Sequence, residues 1–182
     1  MAQLMPGLPQ ADAVEAEHSL RTVIGLGIRQ VRLYPVIVLE GTALADAYRS
    51  GRYRPWTLEH AVATCARLWL LCLRSGVSVL RMGLPPLEQP PVAGPWHPAF
   101  GQLVRSRLWY HGLARAAAGS GDVEVWVNPA DLSDAIGFQR GNLKLLAGRG
   151  TCVRLRPEAD VPRLCFRVDD VVEKLAHIEV SV

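Results

Sequence analysis

The chain has 182 residues, 49% of them hydrophobic, and a formal charge of +3. That is enough apolar content for one large or two small domains, with a mild positive bias that is compatible with RNA without pointing to it. Residues 1–10 lack the basic start and long apolar core of a signal peptide. The longest apolar run, near residues 68–73, falls far short of the roughly 20 residues that span a bilayer, so a soluble cytoplasmic protein with no membrane contact is the expectation.

In chain order, residues 3–8 read as a strand, with Pro6-Gly7 and Pro9 as its turn. Asp12 and Glu15 then have the spacing of a capping box. Ala13, Ala16, Leu20, Val23 and Ile24 recur at helical spacing until Gly25 and Gly27 end the helix. Gly25-Leu26-Gly27 lacks the third glycine of a dinucleotide fingerprint and sits at a helix end, so it is not one. Val31 and Leu33 begin an alternating stretch that becomes continuously apolar over residues 36–39, the pattern of a strand buried on both faces. Pro35 lies inside that run, at an edge or the strand's exit. Strand, helix and strand in this order predict a βαβ unit with parallel strands.

Thr42 is placed to cap a short helix that Gly51 closes, and Tyr53, Pro55 and Trp56 form an aromatic, proline-stiffened corner. Thr57 caps a longer helix with Val62, Cys65, Ala66, Trp69, Cys72 and Leu73 in one stripe. Its C-terminal half is apolar nearly all round and calls for burial on two sides. After Ser75-Gly76, Val77, Val79 and Leu80 start a third strand, again parallel, that leads to Arg81. Residues 83–99 hold six prolines and read as a long irregular segment. His97 is its one acid–base candidate near neutral pH, with capping of the next helix as the plain alternative. Pro98 opens that helix, which carries Phe100, Leu103, Val104 and Leu108. The small-residue exit at 114–121 divides the chain into domains of residues 1–118 and 121–182.

The second domain opens on a half-buried strand at Val123, Val125 and Val127. Asn128, Pro129 and Asp131 supply a cap, a first-position proline and a first-turn acid for a short helix with Leu132, Ala135 and Ile136 inward. Gly137 ends it, and Leu143, Leu145 and Leu146 begin a second helix that Gly148 stops. Strands follow around Val153 and Leu155 and at residues 164–168.

The four cysteines, Cys65, Cys72, Cys152 and Cys165, lack metal-site spacing. Cys65 and Cys72 are about 10.5 Å apart along one predicted helix, beyond disulfide reach. Cys152 and Cys165 could face each other across two strands, but in the cytosol they would stay reduced. Small core residues are the expected role.

Several of these segments carry a resemblance. The stretch LYPVIVLEGTAL followed by GRYRPW looks like the last barrel strand and following segment of the radical SAM domain in the Elongator catalytic subunit and its prokaryotic relatives. Upstream, QLMPGLP resembles the preceding barrel strand, with Gln10 where that family has glycine. Downstream, VLRMGLPP and AGPWHPAF resemble the segments after the barrel. The CxxxCxxC loop of the family does not occur in the sequence. The resemblance therefore implies an α/β fold, a partial radical SAM (β/α) barrel with parallel strands, read as the C-terminal half of an enzyme whose missing N-terminal half is a partner. It implies S-adenosylmethionine near Met5, Gly7, Leu33, Tyr34 and Pro35. The 4Fe–4S cluster would belong to the full-length family, with no cofactor expected for this chain alone. Residues 121–182 resemble a KH module, a small α+β (βααβ) domain, through Ala135-Ile136-Gly137 and Asn142-Leu143-Lys144-Leu145. Its loop departs from GXXG, because the second glycine, Gly141, falls one place late and Arg140 stands in the usual position.

Two functions follow as expectations. One is an enzyme part acting on RNA, with tRNA the substrate that the resemblance to Elongator implies, though no segment resembles Elongator's acetyltransferase domain. Arg81, His97, Arg140 and Lys144 are its substrate candidates. The other is a non-catalytic RNA-binding or structural module using Arg140, Lys144, Arg149, Arg154 and Arg156, or a gene fragment.

Overall fold

Residues 1–118 and 121–180 are described by a computed structural model. The chain divides into two compact units, Met1–Gly101 and Gln102–Val182.

In the first unit, β1 (Ala2–Leu4), β2 (Gln30–Leu33) and β3 (Ser78–Met82) form one sheet in that order. Both pairings are parallel, as the alternation of strands and helices requires. The three strands do not close into a barrel. Between β1 and β2 runs α1 (Ala13–Gly25), whose Asp12 carboxylate accepts from the Val14 and Glu15 N–H groups. Only half of the expected capping box forms, since Glu15 instead accepts a hydrogen bond from the Ser19 hydroxyl at 3.0 Å. Between β2 and β3 run α2 (Ala43–Arg49) and α3 (Leu58–Arg74), capped by Thr42 and Thr57 as their sequence implies. On α3, residues Leu68, Trp69 and Leu70 are all buried, so it is covered on more than one side.

The strand expected over residues 31–39 stops at Leu33. Pro35 offers no N–H to a ladder; Val36 still donates to Pro6 O, and the apolar run leaves the sheet after it. Val36 and Val38 pack with Ala45 and Tyr53. Val38 exchanges backbone hydrogen bonds of 2.8 Å with Ala93 and Val92 in the proline-rich segment. The strand expected over residues 3–8 is likewise short, because the chain turns at Pro6-Gly7.

α4 (Phe100–Ala116) runs into the first three residues of the exit segment expected at 114–121, and residues 119 and 120 of that segment lie outside the described residues. In the second unit it buries Val104, Leu108, Trp109 and Leu113. Gly112 permits this packing. A Cβ there would stand 2.7 Å from Leu175 Cδ2 and 3.2 Å from the Phe166 ring.

The sheet of the second unit has the order β5-β4-β6-β7. β4 (Asp122–Val127) and β5 (Cys152–Pro157) are parallel, joined through a 3-10 turn at Pro129–Asp131, α5 (Leu132–Ile136) and α6 (Gly141–Ala147). β6 (Cys165–Val168) is antiparallel to β4 and continues by hairpin into β7 (Val171–Lys174). The expected strand–helix–helix–strand unit is present, with β6 and β7 added on the far side of β4. Cys152 and Cys165 therefore do not face each other across neighbouring strands, since β4 lies between them. On α6, Leu145 is 58% exposed, while Leu146 is buried.

Candidate functional site at the strand ends of the parallel sheet

In open α/β sheets, ligands collect outside the carboxyl ends of the strands. Here those ends stay in register after the regular strands finish. The Tyr34 N–H donates to Leu4 O and the Val36 N–H to Pro6 O, both at 2.9 Å, and the Gly83 N–H donates to Leu33 O at 2.9 Å. The Pro6-Gly7 turn is clamped from one side. Gly7 has φ +94°, and the Trp56 ring lies 3.2 Å from where a Cβ would be. The buried Tyr53 hydroxyl donates to Gly7 O at 2.6 Å. Trp56 is braced edge-on by His60, with ring centroids 4.5 Å apart.

On the other side of β1 is an open groove of about 420 Å³, lined by residues 3–9 and by Ala11, Glu15, Ala16 and Ser19. β1 has one neighbour in its sheet. Because the Leu4 and Pro6 carbonyls face β2, the period of two turns the Gln3 and Met5 backbone groups toward this open edge. The groove is thus a mainly apolar trough with a raw strand edge on one wall. The hydrogen-bonded Ser19–Glu15 pair on α1 lines it as well.

Of the residues the resemblance implies for S-adenosylmethionine, Met5 and Gly7 line this groove. Leu33 and Pro35 are buried and Tyr34 is half-buried, and none of the three lines it. Arg81 is exposed on β3 and stands opposite Arg32 in register. His97 Nδ1 accepts from the Ala99 N–H at 3.0 Å, the capping alternative read from sequence. Glu15 and Ser19 escaped sequence reasoning. They are surface helix positions that reach the groove only through the way α1 folds back beside β1.

In the second unit, Arg140 has φ +62° and Gln139 φ +51°, in the tight turn between α5 and α6. Lys144 is exposed on α6. Two of the arginines expected to meet RNA are engaged elsewhere. Arg154 pairs with Asp122 at 3.5 Å and Arg156 with Glu124 at 2.8 Å, each reaching diagonally across the β4–β5 ladder to the residue two places before its register partner. Arg149 instead stands over the Tyr110 ring, 5.5 Å from its centroid.

The cysteines do not fit an iron–sulfur cluster. Cys65 and Cys72 are buried on α3, and burial pushes both thiols up to about 12. Cluster ligation needs thiolates gathered together, and among the described residues no three His, Cys, Asp or Glu side chains converge to hold a metal. Cys165 is buried with its thiol also pushed up, and Cys152 is exposed. Ellman's reagent at pH 8 is expected to titrate one thiol quickly, Cys152, and the other three only after unfolding. Since the folded state holds the Cys65 and Cys72 protons more tightly, their contribution is intact below about pH 9, the ordinary thiol value, and is lost as pH rises toward 12. Two or more fast thiols at pH 8 would refute the burial assignment.

Comparison with curated proteins finds no match. Comparison with protein families does, over the segment that begins just before β2 and runs through α2, α3, β3 and the proline-rich stretch into α4. Residues 28–110 match the family model described as the Radical_SAM C-terminal domain.

Proposed function

We propose that this chain supplies the C-terminal part of a radical SAM enzyme that acts on RNA in the cytoplasm, with an Elongator-like ancestry. The observation that carries the reading is the match to the Radical_SAM C-terminal domain over residues 28–110, joined to a parallel sheet whose β1 edge stands open. A strand from a cluster-bearing segment would complete that edge, because unpaired strand groups are a template for pairing. Cluster ligands come from that partner segment in this reading, since the cysteines present do not provide them.

The groove beside β1 would hold S-adenosylmethionine. Its size falls within the roughly 300–1,000 Å³ of small-molecule pockets. The Ser19 hydroxyl and Glu15 carboxylate offer partners for a ligand carrying both amine and ribose hydroxyls. When bound, this cofactor supplies the radical chemistry of the family. The chain's own residues bind and orient it, and the Tyr53–Gly7 clamp holds the turn against which it rests.

Amide-resolved NMR titration with S-adenosylhomocysteine, a non-reactive analogue, tests the placement. Saturable shifts at residues 3–8 and at Ser19 are expected. Saturable shifts confined to other residues, or none at millimolar ligand, would overturn it. The βααβ portion of the second unit would contact the RNA substrate, through Arg140 and Lys144 in a KH-like manner.

A further inference from the structure

The parallel sheet of the first unit carries basic residues and no acidic one. Residues 2–8, 29–39 and 78–87, which hold β1, β2, β3 and their carboxyl ends, include Arg29, Arg32 and Arg81 and contain neither Asp nor Glu. Arg32 and Arg81 are each the penultimate residue of their strands. A break in register sets them side by side. Val31 pairs with Val79 but Arg32 pairs with Arg81, so β3 passes over Leu80 in a bulge. Without that extra residue Arg81 would stand opposite Leu33, which is fully buried, and its charge would turn toward the core. The bulge instead puts Arg81 on the face of Arg32, and bulges re-aim side chains in this way beside functional sites.

Neighbouring strands lie about 4.8 Å apart, so two like charges leave the sheet at that spacing. Like charges opposed across a strand pair are destabilising. Among the described residues neither guanidinium makes an ion pair or a hydrogen bond. The sheet of the second unit is different, since its Arg154 and Arg156 are answered by Asp122 and Glu124. Tyr34 follows Arg32 on the same face by the period of two. It is half-buried, and its hydroxyl has no partner among the described residues. Two guanidinium forks and a hydroxyl that converge without an acceptor call for an oxyanion. A carboxylate is filled by one fork, whereas a phosphate has further oxygens for the second fork and the hydroxyl. Its charge also answers both arginines when it is a monoester.

We propose that Arg32 and Arg81, with the Tyr34 hydroxyl, form a phosphate-binding site at the carboxyl ends of the parallel strands, where ligands of open α/β sheets collect. Assigning that phosphate to RNA rests on the function proposed above. Phosphate binding itself does not, and a small phosphorylated substrate would bring the same chemistry.

Urea unfolding of the full chain in inorganic phosphate, against sodium chloride of equal ionic strength, tests the site, because an anion that binds only the folded state stabilises it. Phosphate is expected to raise the wild-type midpoint more than chloride does, and Arg32→Gln and Arg81→Gln are each expected to abolish the difference. In phosphate-free buffer Arg81→Gln is expected to unfold no earlier than wild type, since it relieves a like-charge pair. Earlier unfolding would give Arg81 a partner within the chain and overturn the site. Amide-resolved NMR should show saturable phosphate shifts at Arg32, Tyr34 and Arg81, with affinity weakened about fivefold or more by either substitution. Equal effects of phosphate and chloride, or phosphate binding that survives both substitutions, overturns the proposal. So do variants that lose S-adenosylhomocysteine while keeping phosphate. Single-stranded RNA that binds about tenfold or more tighter than a nucleoside 5′-monophosphate, with both weakened by Arg81→Gln, assigns the phosphate to a strand. Equal affinities assign it to a small phosphorylated substrate, which overturns the RNA part of the function proposed above and leaves the phosphate site standing.

Discussion

Asn142→Ala is expected to destabilise the second unit by about 3 kcal/mol, because it orphans buried carbonyl groups rather than removing surface contacts. Asn142 is 5% exposed. Its side-chain amide donates to Ser106 O, Ala135 O and Asp134 O at 2.9, 3.0 and 3.3 Å. The last two belong to the final turn of α5, where carbonyls have no partner within the helix. One side chain therefore caps α5, starts α6 and fastens both to α4. The packing leaves no room for a substitute arrangement. Gly137, at φ +83°, lies so close that a Cβ on it would stand 2.7 Å from Asn142 N. An alanine at 142 leaves a cavity next to these carbonyls. Asn142→Asp should be at least as costly, since it points a carboxylate at three acceptors. Urea unfolding followed by tryptophan fluorescence checks both, with the lower midpoint read at an unchanged slope. A loss below about 0.5 kcal/mol, the size of an ordinary surface substitution, would show that the amide is not the link described.

What sequence alone could show follows from how local each determinant is. The caps at Asp12, Thr42, Thr57 and Asn128 were legible because a capping side chain and its N–H lie within three residues. Parallel pairing of β1, β2 and β3 was legible because a strand–helix–strand order permits little else. The end of β2 was not. The apolar run after Pro35 reads as more strand, and only its packing on α2 and residues 92–93 shows that it leaves the sheet. β7 gave no pattern, since Val171 and Val172 are both largely exposed. In the candidate site, Met5 and Gly7 were reachable through the resemblance, but Glu15 and Ser19 were not. The charges of the second unit mislead for the same reason. Arg154 and Arg156 look free until the pairing of β4 with β5 brings Asp122 and Glu124 within diagonal reach of them. Tyr110 and Arg149 meet only because Asn142 binds α6 to α4.

Gly7→Val should be the most damaging change in the first unit, costing about 3 kcal/mol or more, and it bears on the groove directly. The backbone at Gly7 has φ +94°, a conformation that a β-branched residue scarcely adopts. Holding an ordinary residue in such a region costs on the order of 1–3 kcal/mol. A second penalty is steric. The new Cβ would meet Trp56 Cδ2 at 3.2 Å, and the two methyl groups beyond it have to displace the ring or the turn. If the turn moves, the 2.6 Å bond from the Tyr53 hydroxyl to Gly7 O is lost as well. The parts can be separated. Tyr53→Phe removes only that bond and leaves Gly7 in place, so about 1 kcal/mol is expected. Gly7→Ala adds the backbone strain and the first contact, and should fall between the two. Burial holds the Tyr53 hydroxyl above its ordinary value of 10.0, so its contribution persists below that pH and is lost as pH rises through it. Urea midpoints for the three variants, read through tryptophan fluorescence, give the ranking valine, alanine, then Tyr53→Phe. Should Gly7→Val unfold no more easily than Tyr53→Phe, the turn is free to relax. The groove wall would then not be fixed by the clamp.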